Sequence, residues 1–257
     1  MGGKVELKPS VLRYSGLSSP RSLPGLAGWY DFSIPAVLFQ QPGRCEPVTA
    51  PGQPIGYVLD LSGRGYPLRQ ADADAKPVFL AAAAGMPACA RFGGENAGLS
   101  CRGLRGITTA AVVYRAEGKA DEARSLFNAP ESSAWQHVLL GCGGAQNGWR
   151  KAGGTQAGHA AFDGKWHINL YRVLPNACQF QVRMDGMLDL FCTFSGDWKS
   201  EMLESIGWCR KAAGGGFFRG VIGEVVLYTR QLSLESCRRL ERWLAYQWPV
   251  VLRERGG

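Results

Sequence analysis

The chain has 257 residues, 46% of them hydrophobic and 11% aromatic, which is enough to bury a sizeable core within one domain. Its 29 basic against 21 acidic side chains give a net charge of +8, but the excess is spread along the chain. The densest run, Arg238 to Arg242, is interrupted by Glu241, so the clustered basic face of a specific nucleic-acid binder is absent. No uncharged apolar run approaches about 18 residues, which excludes a membrane-spanning helix.

Residues 1–28 hold Pro9, Pro20 and Pro24 among serines and glycines without a sustained period. They read as an extended arm that gains order on a partner surface. Their charged start is followed by no apolar stretch, so no secretory leader is expected. Residues 29–257 read as one all-β domain, because 35 glycines and 14 prolines punctuate many short apolar runs. Strands are expected at residues 107–115, 136–140, 166–174, 178–184 and 188–194, where β-branched and aromatic residues recur without a helical period. Residues 116–129 carry Glu117, Lys119, Asp121, Glu122 and Arg124, and suit a polar loop or a short helix. Asp185-Gly186 lies between two strand patterns and signals a tight hairpin, since glycine tolerates positive φ.

The last fifth of the chain has the clearest pattern. Residues 221–228 form a strand pattern after a glycine-rich turn, and Ser233 stands where a helix N-cap belongs, with Glu235 near the positive end of the helix dipole. Cys237, Leu240, Leu244 and Trp248 recur at steps of three and four, which predicts an amphipathic helix over about 234–248, stopped by Pro249. Arg238, Arg239, Glu241 and Arg242 fall off that stripe and are expected on its solvated face.

Phe218, Gly220, Ile222, Glu224, Val225, Tyr228, Arg230, Leu232, Ser233, Leu244 and Trp248 follow one another in an F-x-G-x-I-x-E-V-x-x-Y-x-R-x-L-S pattern ending in L-x-x-x-W. Upstream stand Asp60-Leu61-Ser62-Gly63, Leu68, Gln70, Lys76-Pro77 and Arg91-Phe92-Gly93-Gly94 with Leu99. Together these resemble the closing and opening signatures of the LamG-like jelly rolls in the concanavalin A-like lectin/glucanase superfamily. The resemblance implies a sandwich of two antiparallel sheets with a short C-terminal helix. It departs at Gly93, where the family's F-D-G pattern has aspartate.

The candidate chemistry is sparse. Eight cysteines contain no C-x-x-C pair, which disfavours structural zinc. Cys178, Cys192 and Cys237 lie inside apolar patterns as small hydrophobes, and disulfides within or between subunits are the alternative. The E-x-D-x-x-E run of the fold's glucanases does not occur, so Glu224 reads as a structural acceptor rather than a catalytic acid. No G-x-S-x-G elbow occurs either. His137, His159 and His167 are expected to be hydrogen-bonded residues, with Asp163 the nearest carboxylate in sequence to His167. Gly141-Cys142-Gly143-Gly144 and Gly153-Gly154 fail the G-x-G-x-x-G spacing and read as turns or a flexible loop.

No cofactor is expected. Calcium is the exception to weigh, through Asp163, Asp185 and Asp189 near turns, although these form no local D-x-D-x-D cluster. A turn role for Asp185 is the stronger reading. For a glycan site, Asn147 and Trp149 followed by Asp163 and Trp166 combine an aromatic platform with polar donors and acceptors. The alternative for both tryptophans is burial of their apolar faces.

As a whole, the pattern resembles the single-module jelly rolls of tailed bacteriophage virions. That resemblance implies a non-enzymatic structural protein located in the virion, in capsid decoration or in the tail or fibre. It would pack against other virion proteins or copies of itself, with host surface glycans as further partners. The alternative is a bacterial extracellular lectin-like protein, and a third class is a glycan hydrolase.

Overall fold

The computed structural model describes residues 19–118, 124–128, 137–140, 147–151, 154–157, 162–193, 205–208 and 216–253. In chain order the strands are β1 (Leu26–Asp31), β2 (Leu38–Phe39), β3 (Tyr57–Val58), β4 (Leu68–Arg69), β5 (Val78–Leu80), β6 (Cys89–Gly93), β7 (Leu99–Ser100), β8 (Thr109–Ala116) and β9 (Arg124–Asn128). They continue with β10 (His137–Leu140), β11 (Asn147–Lys151), β12 (Gly154–Ala157), β13 (His167–Leu174), β14 (Gln179–Met184), β15 (Met187–Thr193), β16 (Ser205–Ile206) and β17 (Arg219–Tyr228), before the helix α1 (Leu234–Gln247). They form two antiparallel sheets, the jelly-roll sandwich expected from the sequence. The first runs β15-β14-β13-β8-β17-β6-β5 with β1 also on β17, and the second runs β12-β11-β10-β9-β16-β7-β4-β3-β2.

β17 is the spine of the first sheet. After the exposed Arg219, all nine residues are buried, because one face meets the core between the sheets and the other lies under α1. This two-sided burial explains its run of β-branched residues in place of a strict alternation. A register shift against β8 between Ile222 and Glu224 leaves Gly223 as the extra residue of a bulge. Trp248 fills the space above it: a Cβ at position 223 would stand 2.3 Å from Trp248 Cη2.

Beside that bulge Glu224 is 1% exposed and accepts from two indoles, Trp29 Nε1 at 2.7 Å and Trp248 Nε1 at 2.9 Å. The carboxylate thus ties β1, β17 and the end of α1 together, and it occupies the structural role read from the sequence. Burial, and then the charge of Asp31 across the β1–β17 pair, push the Glu224 carboxyl well above its ordinary range. Tyr228 donates to the carbonyl of Pro20 at 3.1 Å, and Phe218 packs edge-on against Phe92 and Tyr114. At Gly220, φ is +141° and a Cβ would meet the Arg115 carbonyl oxygen at 2.3 Å, so only glycine fits. Ser233 caps α1 by accepting from Ser236 N at 3.1 Å.

The upstream motif is equally structural. Asp60 accepts from the backbone N–H groups of Trp29, Ser62 and Tyr66, which folds the Asp60–Gly63 turn onto β1. Gln70 Nε2 donates to the Gly98 carbonyl at 2.9 Å, and Phe92 is fully buried.

Four expectations change. The body begins before Gly28: Leu26 already belongs to β1, and Leu23 is in the core behind a 3-10 turn at Pro20–Ser22. β17 offers an open backbone edge there, and main-chain pairing outweighs the weak local pattern. Residues 124–128 are a strand, not a loop or helix, because β10 and β16 supply ladder partners on either side. Gly154 opens β12 rather than lying in a turn. Glu241 is not on a solvated face: it is 1% exposed and forms a bidentate pair with Arg183, at 2.8 Å and 2.9 Å. Trp243, off the expected stripe, is also buried and meets Trp29 edge-on. The buried side of α1 is therefore wider than the expected stripe, running from Trp243 to Glu241 around the helix.

Candidate functional site

Two cavities flank the β14–β15 hairpin. Its turn residues Asp185 and Gly186 have φ of +51° and +86°, the paired positive values of a type I′ turn, as the Asp-Gly dipeptide predicts. The tail after α1 runs back along the turn, with Arg253 N donating to the Asp185 carbonyl at 2.8 Å.

The first cavity, about 720 Å³, lies between this tail, the turn at Ala83–Met86 and the segment leading into β13. Its polar base is a three-residue network. His167 Nδ1 contacts Asp185 Oδ2 at 2.8 Å and His167 Nε2 contacts Asp163 Oδ1 at 2.9 Å. Two carboxylates facing the two ring nitrogens are both satisfied only by the doubly protonated imidazolium. Burial alone would disfavour that cation, but the hydrogen bonds to Asp185 and then Asp163 outweigh it and raise the His167 pKa above its ordinary value. For Asp163 the desolvation effect is likewise outweighed, by hydrogen bonds from His167 and the Lys165 backbone, and its pKa is lowered.

The register that builds this network is simple. Asn169 opposes Met184, so the turn falls beside the start of β13; Asp185 N donates to the Ile168 carbonyl and Ile168 N donates to Asp185 Oδ1, both at 2.9 Å. Asp163, four residues before His167, reaches the other ring nitrogen from the preceding loop.

Around this base, Lys165 Nζ stands 4.0 Å from Asp163, Arg253 stands 3.9 Å from Asp185, and the Arg115 guanidinium lies 5.8 Å over the Trp166 ring. Asp163 and Lys165 side chains are 44% and 79% exposed, so they face the opening while His167 is sealed behind them. Trp166 lines the cavity but is only 8% exposed, with its ring against Trp248 at a centroid distance of 5.0 Å. It therefore acts mainly as packing and leaves little of its face for stacking.

The structure thus brings Asp163 and Trp166 to one cavity. Asn147 and Trp149 belong to strand β11 in the second sheet, and their side chains lie outside the described residues. Residues 141–146 and His159 also lie outside them. For cation binding, Asp163 and Asp185 do meet, but across His167, while Asp189 is part of β15. Among the described residues no group of three or more His, Cys, Asp or Glu side chains is placed to hold a metal. Six cysteines, at 45, 89, 101, 178, 192 and 237, are free thiols. Burial pushes the Cys89 and Cys237 thiols up to about 11, which suits inert core residues.

Sequence reasoning missed Arg115, Arg253 and the second carboxylate on His167. The Asp-Gly turn was a usable signal, because its pairing register fixes which residue of β13 sits beside it. It also missed the second cavity, about 540 Å³, which lies between α1 and the outer face of β13 to β15 and is lined by five arginines and Glu241.

No family model and no curated protein matches the sequence. Solved structures do match in fold. Domain 4 of AbnA, a GH43 extracellular arabinanase from Geobacillus stearothermophilus solved with arabinotriose, aligns with a TM-score of 0.57 at 13% identity over 84% of this chain and 98% of that one. Trypanosoma rangeli sialidase in complex with sialic acid gives 0.59 at 16% identity, over 87% of this chain and 34% of the sialidase. The binding domain of Paraclostridial Mosquitocidal Protein 1 gives 0.58 at 10% identity, over 88% of this chain and 53% of that one. The chain therefore spans about a third to a half of the latter two. At these identities the likeness establishes the β-sandwich jelly-roll fold.

Proposed function

We propose that this protein is a non-catalytic carbohydrate-binding module whose saccharide site is the cavity above the Asp163–His167–Asp185 network. The observation that carries the reading is the arrangement of that cavity. Asp163, held in place by His167, and the exposed Lys165 offer an acceptor and a donor for sugar hydroxyls, beside the apolar Trp166, Met86 and Val251. Its two carboxylates are bridged by the imidazolium and do not face a shared substrate space, which argues against the acid and nucleophile pair of a retaining hydrolase. The fold it shares with domain 4 of the arabinanase supports the reading by analogy.

A second reading, the structural role in a virion implied by the sequence resemblance, draws on β15. That strand ends the first sheet and exposes Leu188 and Phe191 at 48% and 49%, an edge suited to packing against copies or neighbours. Self-assembly through that edge without any saccharide affinity would favour it.

A neutral oligosaccharide array that includes arabinotriose, followed by titration calorimetry on any hit, tests the carbohydrate reading. Binding should weaken at least about tenfold in Lys165→Ala, as expected for a lost hydrogen bond to a charged group, and vanish in Ala84→Trp, which fills the cavity mouth. The absence of any saccharide response, or a hit indifferent to both variants, refutes it.

A further inference from the structure

The second cavity carries more positive charge than its one carboxylate, Glu241, balances. Arg183 is spoken for: it donates twice to Glu241 and once to the Gly186 carbonyl. Arg253 faces Asp185 across 3.9 Å. The remaining three differ. Arg172 Nη1 donates to Gln181 Oε1 at 3.2 Å, but Arg172 Nε is buried and meets no acceptor among the described residues. Arg238 and Arg242, one helical turn apart on α1, line the same space. A buried guanidinium N–H without a protein acceptor is costly and calls for a water or an ion to satisfy it; the part of Arg172 that lines the cavity keeps its charge available there.

The placement follows from register. Arg172 opposes Gln181 on the β13–β14 pair, and Arg183 stands two residues further along β14 on the same face, under α1. Arg238, Glu241 and Arg242 come down from the helix onto this stripe. Glu241 neutralises one guanidinium and fixes it, which leaves an excess of positive charge in a cavity of about 540 Å³. Leu188 and Leu234, both largely exposed, form an apolar rim. A planar fork of N–H donors matches a carboxylate, sulfate or phosphate group, and an apolar rim suits the organic body that carries it.

From this geometry we infer that the cavity between α1 and the β13–β15 face is an oxyanion site, taking a carboxylate, sulfate or phosphate group through Arg172, Arg238 and Arg242. Arg172 contributes positive charge from the sheet wall while Arg238 and Arg242 close over the anion from the helix. The source is an acidic organic molecule, with the free inorganic anion sharing the same chemistry. The site shares only Arg253 with the saccharide cavity beside Trp166 and does not rest on that cavity's function.

Titration calorimetry with glucuronic acid, methyl glucoside, inorganic sulfate and inorganic phosphate tests this on the full chain. Saturable binding of glucuronic acid that depends on Arg238 and Arg242 is expected, whereas any binding of the uncharged methyl glucoside should be indifferent to them; the acid's binding should weaken as salt rises because the attraction is ionic. Arg238→Gln/Arg242→Gln, at positions where loss of an exposed charge leaves the core intact, should weaken binding about 10- to 100-fold. Arg172→Lys, which keeps the charge but lacks the planar fork, should also weaken it. Binding of sulfate or phosphate alone, with the same dependence on the arginines, upholds the site and identifies the free anion as its source. No binding of any of the three anions, or anion binding unchanged in the double variant whose thermal melting matches the parent protein, overturns the inference. Since methyl glucoside and Lys165→Ala probe the other cavity, failure of one site is distinguishable from failure of the other.

Discussion

Gly223→Ala tests the account of how α1 is locked to the sheet. A Cβ at this position would stand 2.3, 2.4 and 2.6 Å from Trp248 Cη2, Cζ3 and Cζ2, more than an ångström inside ordinary carbon contact of about 3.5–4.0 Å. The clash is with one side of a rigid ring, so no flexible chain end can swing away. Trp248 is 3% exposed, packs on Trp166 and donates to Glu224, so moving it disturbs all three. Overpacking a core costs about 1–3 kcal/mol, and expulsion of the indole would approach the about 3–5 kcal/mol of a Trp→Ala change. A destabilisation of about 3 kcal/mol is expected, or roughly 6–12 °C in melting temperature for a chain of this size. Gly93→Ala is the matched control, because nothing lies within 4 Å of a Cβ there, and it should shift stability by less than about 0.5 kcal/mol. Urea unfolding followed by tryptophan fluorescence measures both. A loss below about 1 kcal/mol for Gly223→Ala, or equal losses in the two variants, would refute the steric lock.

Two further outcomes are expected. Glu241→Ala strands the buried Arg183 guanidinium and should cost about 3–5 kcal/mol, whereas the double change Arg183→Met/Glu241→Leu should cost much less, because no charge is then left unpaired; denaturant midpoints compare them, and equal losses would contradict the pairing. His167 has a raised folded-state pKa, so its stabilising contribution is fully present below its unfolded value of about 6.5 and is lost as pH rises through the raised value. The urea midpoint should therefore fall between pH 6 and 9 more steeply in the parent protein than in His167→Gln, and parallel pH profiles would show that the imidazolium is not held by its two aspartates.

Much of the scaffold was legible locally. The β17 and α1 signature has direct physical content. Gly220 is where a side chain would strike the Arg115 carbonyl, Glu224 is where two indoles need an acceptor, and Ser233 is where a helix needs a cap. The Ser233 cap is local, three residues from its donor, whereas Gly220 and Glu224 were legible only as members of a motif: the partners that require them, the Arg115 carbonyl and the Trp29 indole, lie far upstream. The Asp-Gly hairpin was legible locally, like the cap.

The elements that were misread depend on partners far along the chain. Residues 124–128 look polar by themselves and become a strand because β10 and β16 flank them. Glu241, four residues after Cys237 and three before Leu244, lies on the buried side of the helix although its charge suggests a solvated face, and only Arg183, 58 residues away, supplies the partner that lets it stay there. The pairing of His167 with Asp163 was visible at four residues' distance, while its pairing with Asp185 required the β13–β14 register.

The sequence by itself therefore determined the class of fold and the closing strand and helix, because those follow from periodicity, caps and a motif of fixed spacing. Only the tertiary structure decided which charges meet. The two cavities exist because the tail after α1 folds back over the hairpin at Asp185 and Gly186, and the helix drops its arginines onto the face of β13 and β14. Charge neutralisation and desolvation act through space, so no window of sequence contains both halves of the interaction.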